Sequence, residues 1–238
     1  MPTLITPTIV FDLDGTLADT VPDIAAALDA ALAGFGSSPT SANEAAAMMG
    51  DGLNAFFWRA IVAKRLNLSA EDAAEVQRRF IAGYRQTPAK LARLYPGIRD
   101  LLVVLRSHNV RVAVCTNKQE PIALDILERL DIRGFFDSVV GYRDGRPKKP
   151  HPGPLLEAIA SAGGHRDRAL MIGDSGADSG AAIAARIDVI LVSYGYSPIS
   201  VQMLPADDYA DDAHELHKKV MHFIASEINA FRRAPLDF

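Results

Sequence analysis

The stretch that most constrains this chain is residues 9–17, which read IVFDLDGTL. Three apolar residues predict a buried strand, and two carboxylates, Asp12 and Asp14, follow it one residue apart before a Gly-Thr turn. Because unpaired buried charge is strongly disfavoured, two aspartates at the end of a buried strand need compensation, and a hard cation is the simplest candidate. An Asp-rich turn without a ligand is the alternative, since Asp and Gly are common turn residues. This stretch alone leaves both interpretations open.

The composition is typical of a globular protein and argues against several functional classes. The chain has 238 residues, enough for one large domain or two smaller ones, with 49% hydrophobic and 23% charged residues. A net charge of -4 argues against a general nucleic-acid binder, which usually carries a basic stripe. The single cysteine, Cys115, allows no intrachain disulfide and favours a reducing compartment. We see no signal-peptide pattern and no apolar run near the roughly 20 residues that span a bilayer, so we expect a cytoplasmic protein that binds neither nucleic acid nor membrane.

Short apolar and β-branched runs alternate with helical patterns over most of the chain. Strands are predicted at residues 8–11, 110–115, 138–141, 169–173 and 189–193. Helices are predicted between and after them, at residues 97–107, 120–130, 152–162, 175–186 and 211–231. Such alternation indicates parallel βαβ units, so the predicted fold class is α/β, with a doubly wound, Rossmann-like parallel sheet.

One segment departs from this alternation, because residues 22–90 contain helical patterns only. Four helices are predicted there, at residues 22–33, from the N-cap Ser41 onward, at residues 53–66 and from the N-cap Ser69 to residue 85. The predicted domains are therefore an α/β core of residues 1–17 and 91–238 and an all-helical insert of residues 18–90. Two short connections at one edge would let the insert close over Asp12.

Polar side chains gather at the predicted strand ends, and ligands of open parallel sheets bind beyond the carboxyl ends of the strands. Four strands or the loops after them supply Asp12 and Asp14, then Thr116, Asn117 and Lys118, then Lys149, and last Asp174 and Asp178. The four aspartates sum to a charge of -4, one lysine reduces this to -3, and a divalent cation would leave -1. Carboxylate ligands suit Mg²⁺, and no His or Cys cluster has zinc spacing. A cation, a lysine, a hydroxyl and turn amides together suit a phosphoryl group.

Four segments, in this order, resemble the four motifs of the haloacid dehalogenase superfamily. They are FDLDGTL at residues 11–17, CTNK at 115–118, KPHP at 149–152 and GDSGAD at 173–178. The helical insert after the first motif also resembles that superfamily's cap domain, so the likeness covers most of the chain. Within the superfamily the chain is similar to phosphoglycolate phosphatases, in residues 50–53, 116–118, 149–156 and 194–196. One departure is Ile187, which stands where the family usually has glycine.

The resemblance implies a chemical role for three aspartates. Asp12 would be the nucleophile that forms an aspartyl-phosphate, and its carboxylate would also bind Mg²⁺. Asp14 would protonate the leaving oxygen and then activate water, while its backbone carbonyl binds the metal. Asp174 would bind the metal through a carboxylate oxygen.

The other motif residues are expected to bind the phosphoryl group or to support the three aspartates. Thr116 would hydrogen-bond the phosphoryl oxygens with the amide of Asn117 beside it, unless its hydroxyl caps the next helix. Lys149, rather than its neighbour Lys148, would neutralise phosphoryl charge and hold the nucleophile. Asp178 would act on the metal through water or through Lys149, with a helix-surface position as the alternative.

These roles imply a Mg²⁺-dependent phosphatase of a small phosphorylated metabolite, with 2-phosphoglycolate as the expected substrate. A sugar-phosphate mutase of the same superfamily and a non-catalytic phosphate-binding protein are the alternatives. In the insert, Arg59, Lys64 and Arg65 could meet a substrate carboxylate, although a solvated helix face is the commoner position for such residues. We expect a monomer or a homodimer, with the small metabolite as its partner.

Overall fold

The computed structural model describes residues 6–49 and 52–233, so Gly50 and Asp51, from one of the family-like segments, lie outside the described residues. In chain order the strands are β1 (Thr8–Phe11), β2 (Ala18–Asp19), β3 (Arg93–Leu94), β4 (Arg111–Gln119), β5 (Ser138–Tyr142), β6 (Ala169–Gly173), β7 (Asp188–Val192) and β8 (Asp208–Ala210). Within the described chain, six of them form one sheet in the order β5-β4-β1-β6-β7-β8, with every neighbouring pair parallel. The predicted α/β class with a doubly wound parallel sheet is confirmed.

The strand β1 lies in the middle of this sheet, between β4 and β6, and is buried along its whole length. Its side chains enter two separate cores, with Ile9 and Phe11 on one face of the sheet and Val10 on the other. Burial on both faces is the reason that the run is continuously apolar up to Asp12. Because β1, β4 and β6 are parallel, the residues that follow them meet at one edge.

The strands β4 and β8 differ most from the prediction. β4 continues to Gln119, beyond the predicted end at Cys115, and its pairing with β5 becomes irregular between these two residues. β8 is not predicted from the sequence, because its three residues show neither alternation nor an apolar run. The irregular end of β4 carries Thr116, Asn117 and Lys118, so these residues leave the regular ladder.

An antiparallel ribbon of β2 and β3 joins the two connections between the core and the helical insert. Ala18 pairs with Leu94, and Asp19 pairs with Arg93. The sequence does not predict this ribbon, because strands of two residues have no detectable periodicity.

In the described chain the insert is built from the helices α1 (Val21–Ala31), α2 (Ala42–Ala47), α3 (Leu53–Ala63) and α4 (Ala70–Gln86). The predicted caps are present. The hydroxyl oxygen of Ser41 accepts from the N–H of Glu44, whose carboxylate accepts in return from the N–H of Ser41. Ser69 caps α4 by accepting from the N–H of Asp72. Both helices therefore begin directly after the predicted N-cap residues.

The two faces of the sheet are covered by the helices α5 (Ile98–Ser107), α6 (Glu120–Arg129), α7 (Gly153–Ser161), α8 (Gly176–Ala185) and α9 (Ala213–Arg233). One core receives apolar side chains from α5, α6 and α9, and the other receives them from α7 and α8. Within the part of the chain that the structure describes, no helix combines the length and the apolarity that crossing a bilayer requires.

Candidate active site

Three aspartates, Asp12, Asp174 and Asp178, meet at the carboxyl edge of the sheet. Each offers one carboxylate oxygen, and these oxygens lie within 4.8 Å of one another. Asp12 follows β1, Asp174 follows β6, and Asp178 lies in the first turn of α8. The parallel pairing of β1 with β6 brings the first two together, although they are far apart in the chain. All three are buried, which concentrates negative charge in one place.

Two glycines make room for this cluster. Gly15 has a φ of 82°, and a Cβ atom there would lie 2.2 Å from Oδ2 of Asp174. A Cβ atom on Gly195 would lie 2.3 Å from Cβ of the same aspartate. No larger residue fits either position without moving Asp174, and the positive φ of Gly15 is itself strained for other residues. The glycine of the first motif is therefore required by the turn and by the close approach of Asp174.

The surroundings of Asp12 and Asp174 disfavour the charged form of both carboxylates in the absence of a cation. Burial raises the pKa of Asp12 to about 6; the ammonium of Lys149 opposes this rise, and the charges of Asp178 and Asp14 add to it. Burial also raises the pKa of Asp174 well above its ordinary value, and the carboxylates of Asp178 and Asp12 raise it further. For Lys149, burial opposes the charged form, but the neighbouring carboxylates outweigh it and raise the pKa of Lys149. The cluster thus holds more negative charge than Lys149 balances.

The donor set of this cluster fits a divalent cation. Oδ1 of Asp12 is buried, and its described partner is Nζ of Lys149 at 3.0 Å. Oδ2 of Asp174 accepts a hydrogen bond from the backbone N–H of Tyr196 at 2.6 Å. Carboxylate oxygens are hard ligands of the kind that Mg²⁺ and Ca²⁺ prefer, and a nearby cation favours the charged form of both carboxylates. Asp12 and Asp174 are therefore suited to hold a metal ion together.

The structure brings Lys149, rather than Lys148, to the aspartates. Nζ of Lys149 lies 2.6 Å from Oδ1 of Asp178 and 3.0 Å from Oδ1 of Asp12, and it donates to the carbonyl oxygen of Cys115 at 2.7 Å. Nζ of Lys148 instead lies 4.5 Å from the ring centroid of Tyr142. One buried ammonium therefore bridges two carboxylates and the end of the regular part of β4.

Both carboxylate oxygens of Asp178 are engaged by other groups of the site. Oδ1 contacts the ammonium of Lys149, while Oδ2 accepts from the hydroxyl of Ser175 at 2.6 Å and from its N–H at 3.1 Å. Oδ2 also accepts from the N–H of Asp174 at 3.3 Å. The helix-surface alternative for Asp178 is wrong, because the residue is fully buried. Its contacts orient the lysine and the turn that carries Asp174.

Thr116 and Asn117 occupy the irregular end of β4. Thr116 is buried, and its Oγ1 accepts from the N–H of Lys118 at 3.2 Å. The helix-cap alternative for Thr116 is wrong, because Gln119 stands at the N-cap of α6. The side-chain amide of Asn117 donates to the carbonyl of Lys149 at 3.0 Å and accepts from its N–H at 2.8 Å. The side chain of Asn117 therefore holds the lysine loop in place.

A second charged pair, Asp14 with Lys118, lies beside the cluster. Nζ of Lys118 lies 2.7 Å and 2.9 Å from the two carboxylate oxygens of Asp14, and the hydroxyl of Thr20 donates to Asp14 as well. The side chain of Lys118 is only 6% exposed, and its Nζ lies 5.2 Å from the ring centroid of Tyr84. Burial opposes the charge on Lys118, but the carboxylate of Asp14 outweighs it and raises the pKa of Lys118. Asp14 is thus held in a defined orientation.

A cavity of about 720 Å³ lies between the core and the insert, and its lining includes Asp12, Asp14, Asp174, Lys118 and Lys149. From the core, Asp12 and Asp174 lie at this cavity, and from the insert Phe56 of α3 and Tyr84 of α4 line it. This volume lies in the range of sites for small molecules. A ligand bound there would touch both parts of the protein.

Of the three basic residues that the sequence suggested for a substrate carboxylate, Arg59 lines this cavity. Its guanidinium donates to the carbonyl oxygens of Met48 and Met49. Lys64 is directed elsewhere, because its Nζ donates to the carbonyl of Ser38 at 2.7 Å. Arg65 is not a lining residue of the cavity either.

Comparisons with known proteins place this site in a family. The sequence pattern of the haloacid dehalogenase-like hydrolases matches residues 9–192, which include all four motifs. The chain belongs to this hydrolase family. A phosphoglycolate phosphatase from Cereibacter sphaeroides is 35% identical over 219 residues, which cover 92% of this chain and all of the relative (100%). Another from Rhodospirillum rubrum is 38% identical over 210 residues, with 85% and 87% of the two chains covered.

A solved structure is similar to this hydrolase over most of both chains. The crystal structure of a predicted phosphoglycolate phosphatase from Haemophilus somnus superposes with a TM-score of 0.82. It is 28% identical in sequence, and the match covers 92% of this chain and 99% of that chain. The likeness therefore extends over the core and the insert.

Three residues that contact the hydrolase site were given no role by the sequence-based prediction. Lys118 has a signal in the sequence, since it stands two residues after Thr116 at a strand end. Tyr84 has none, because it lies in the insert and no local pattern connects it to the core. Tyr196 belongs to a family-like segment, but its contacts with Asp174 depend on the folded loop.

Tyr196 links the site to the ribbon between core and insert. Its backbone N–H holds Asp174, and its hydroxyl donates to the carboxylate of Asp19 in β2. The same hydroxyl accepts from the N–H of Thr20 at 2.8 Å. A single residue thus contacts both a carboxylate of the candidate metal site and the connection on which the insert is carried.

Proposed function

We propose that this hydrolase is a Mg²⁺-dependent phosphatase that cleaves 2-phosphoglycolate through an aspartyl-phosphate on Asp12, and that it acts in the cytoplasm. Family membership and relatives named phosphoglycolate phosphatases make the chain a phosphatase of phosphate monoesters. The metal, the intermediate, the substrate and the compartment are the proposal. The observation that carries the mechanism is the buried carboxylate of Asp12, which lines the cavity between the carboxylate of Asp174 and the ammonium of Lys149.

In the first half-reaction the carboxylate of Asp12 attacks phosphorus, and the bond between phosphorus and the ester oxygen breaks. Asp14, in its protonated form, gives its proton to that oxygen, so the leaving group departs as an alcohol rather than an alkoxide. Lys149, 3.0 Å from Asp12, balances part of the charge that the phosphoryl oxygens bring into the site. The hydroxyl of Thr116 and the backbone N–H of Asn117 bind the phosphoryl oxygens.

In the second half-reaction water attacks the phosphorus of the aspartyl-phosphate. Asp14, now a carboxylate, takes the proton of the attacking water, and the bond between phosphorus and the Asp12 oxygen breaks. Phosphate leaves, and both aspartates return to their starting forms. The contacts of Asp14 with Lys118 and Thr20 keep its carboxylate in one place through both steps.

Asp12, Asp174 and the backbone carbonyl of Asp14 would hold Mg²⁺, and Asp178 would support them by orienting Lys149 and the turn of Asp174. When bound, the ion supplies positive charge that offsets the carboxylates and the phosphoryl group. Carboxylate oxygens and a phosphate substrate are the usual setting of Mg²⁺ in proteins. The single cysteine, Cys115, which is buried and free, fits a reducing compartment such as the cytoplasm.

The experiment is a phosphate-release assay on a panel of phosphorylated metabolites, with Mg²⁺ and with EDTA. We expect turnover of 2-phosphoglycolate that requires the metal. The Asp12→Asn variant should lower kcat by at least about 1000-fold, because the amide cannot attack phosphorus. The matched control is Asp144→Asn, since Asp144 lines the same cavity but is exposed, and it should keep wild-type kcat within about threefold.

Three results would contradict the proposal. Near-normal turnover by Asp12→Asn would exclude the aspartyl-phosphate. Isomerisation of a sugar phosphate faster than release of phosphate would favour a mutase. Binding of phosphate esters without any turnover would favour a non-catalytic protein.

A further inference from the structure

Lys118 is a buried cation, and its contacts with Asp14 do not use all of its hydrogen-bond donors. Its side chain is 6% exposed, and the residue lines the cavity. Nζ hydrogen-bonds both carboxylate oxygens of Asp14, at 2.7 Å and 2.9 Å. These hydrogen bonds use at most two of the three N–H donors of an ammonium. Asp14 therefore leaves one donor of Lys118 unused, on the side of the cavity that Tyr84 also lines.

A second polar group beside Lys118 points to a ligand. Tyr84 is 1% exposed, and no described residue accepts a hydrogen bond from its hydroxyl group. Its ring centroid lies 5.2 Å from Nζ of Lys118, and it lines the same cavity. Buried hydroxyls almost always have a partner. An acceptor bound between the ammonium and this hydroxyl would satisfy both groups.

The contact of Lys118 with Asp14 defines which atoms of an ester can reach Nζ. This step rests on the proposed function, in which Asp14 protonates the ester oxygen. That oxygen must lie within hydrogen-bond distance of the Asp14 carboxylate, which Lys118 itself contacts. A carboxylate attached to the carbon of the ester bond follows two bonds later, so it falls within reach of Nζ. The phosphoryl group is attacked by Asp12, beside the separate ammonium of Lys149.

We infer that Lys118, assisted by the hydroxyl of Tyr84, selects phosphate esters that carry a carboxylate on the carbon next to the ester oxygen. A carboxylate is the natural complement of this pair, because an ammonium and a phenol offer it two hydrogen-bond donors. An ester that ends in an uncharged group would leave the buried ammonium with Asp14 as its acidic partner and Tyr84 without an acceptor.

Two other cations that line the cavity, Arg85 and Lys148, have described contacts with other groups. Arg85 donates to Oε1 of Gln119 at 2.9 Å. Lys148 lies over the ring of Tyr142 at 4.5 Å. In the described structure, Lys118 is the lining cation that contacts Asp14.

The test compares 2-phosphoglycolate with ethyl phosphate, an ester of the same chain length that lacks the carboxylate. The measured quantity is the preference ratio, which is kcat/KM for 2-phosphoglycolate divided by kcat/KM for ethyl phosphate. A variant that displaces Asp14 lowers kcat/KM for both esters, so this effect cancels in the ratio. We expect Lys118→Met to lower the ratio at least about 30-fold, mostly through KM for 2-phosphoglycolate, since a hydrogen bond to a charged group is lost.

Two more variants make the test specific. Tyr84→Phe removes one hydroxyl from a buried ring, so it folds more readily, and it should lower the ratio about threefold to tenfold. Arg85→Met is the matched control, because it removes a different cation of the same cavity, and it should leave the ratio within about threefold. Circular dichroism and thermal denaturation check that each variant is folded. If Lys118→Met does not fold, Tyr84→Phe decides.

The inference is overturned if Lys118→Met and Tyr84→Phe both leave the ratio unchanged, or if Arg85→Met lowers it as much. It is also overturned if the wild-type protein hydrolyses the two esters equally well, a result that would leave the phosphatase activity in place. A wild-type protein that hydrolyses no ester at all would instead refute the proposed function, and this inference with it.

Discussion

Lys149 and Asp178 form a buried ion pair, with Nζ and Oδ1 2.6 Å apart. The loop after β5 carries the lysine and α8 carries the aspartate, so the pair joins segments 29 residues apart in the chain. The same Nζ lies 3.0 Å from Oδ1 of Asp12. Because one ammonium serves two carboxylates, a change at Lys149 acts on the candidate nucleophile and on the helix at once.

Replacing this lysine should lower both activity and stability. Lys149→Met leaves the carboxylates of Asp12 and Asp178 buried without their cation. We expect kcat to fall at least about 100-fold and the free energy of unfolding of the metal-free protein to fall by about 3–5 kcal/mol. Steady-state kinetics and urea denaturation in EDTA measure the two effects. Lys148→Met is the control and should change stability by less than about 1 kcal/mol; a Lys149→Met protein as stable as wild type would contradict the prediction.

The raised pKa of Asp12 predicts a link between pH and the effect of Mg²⁺. An unfolded aspartate titrates near 3.8, whereas burial raises the pKa of Asp12 in the folded protein to about 6. The folded state therefore binds the proton more tightly, so this contribution to stability is complete below the unfolded pKa and is lost as the pH rises through the folded pKa. A bound cation compensates for this loss of stability, because it favours the charged form of the carboxylate. We expect Mg²⁺ to raise Tm more at about pH 7.5 than at about pH 5.

Thermal denaturation with Mg²⁺ or EDTA at the two pH values measures this link. Asp12→Asn removes the titrating group, so the difference between the two gains in Tm should shrink in that variant. Equal gains at both pH values in the wild-type protein would show that the carboxylates are charged without the metal.

The close approach of Gly195 to Asp174 predicts that a methyl group at this position is harmful. A Cβ atom there would lie 2.3 Å from Cβ and Oδ2 of Asp174 and 2.5 Å from the carbonyl oxygen of Gly15. We expect Gly195→Ala to destabilise the fold by about 1–3 kcal/mol, because a buried overlap must be relieved by backbone movement. Affinity for Mg²⁺, measured by calorimetry, should fall as well. In the control Gly134→Ala, the added Cβ meets nothing within 4 Å, and both quantities should stay near wild type.

Tyr196 binds Asp174 through its backbone N–H and the ribbon through its hydroxyl, so a side-chain substitution tests the second contact alone. Tyr196→Phe removes the hydroxyl that accepts from the buried N–H of Thr20 but keeps the backbone N–H that binds Asp174. We expect a loss of about 1–3 kcal/mol in the free energy of unfolding, the cost of an unpaired buried donor. Affinity for Mg²⁺ should stay within about threefold of wild type. A large loss of metal affinity without a loss of stability would reverse this assignment.

Local signals along the chain were enough for most of the secondary structure. β1 and β6 match their predicted bounds, because a strand buried on both faces is a continuous apolar run. The caps Ser41 and Ser69 were predictable since their hydrogen bonds join residues three apart. The short strands β2, β3 and β8 were missed, because two or three residues carry too little pattern to stand out.

The sequence was enough to predict which strand ends carry the residues of the candidate site. Parallel strands share one edge, so the acidic residues after β1 and β6 had to meet there once the topology was known. The contacts within the site were not predictable in this way. Lys118 reaches Asp14 across 104 residues, and no periodicity or spacing in the chain indicates that pair.

The order of residues along this chain was sufficient to establish its class, its helical insert and a carboxylate-rich edge, because these follow from apolar periodicity and from the geometry of parallel strands. Folding in three dimensions was needed to establish which atoms meet. The sharing of Lys149 between Asp12 and Asp178 depends on long-range packing of separate loops. The placement of Tyr84 beside Lys118 depends on how the insert lies over the core, which no local pattern encodes.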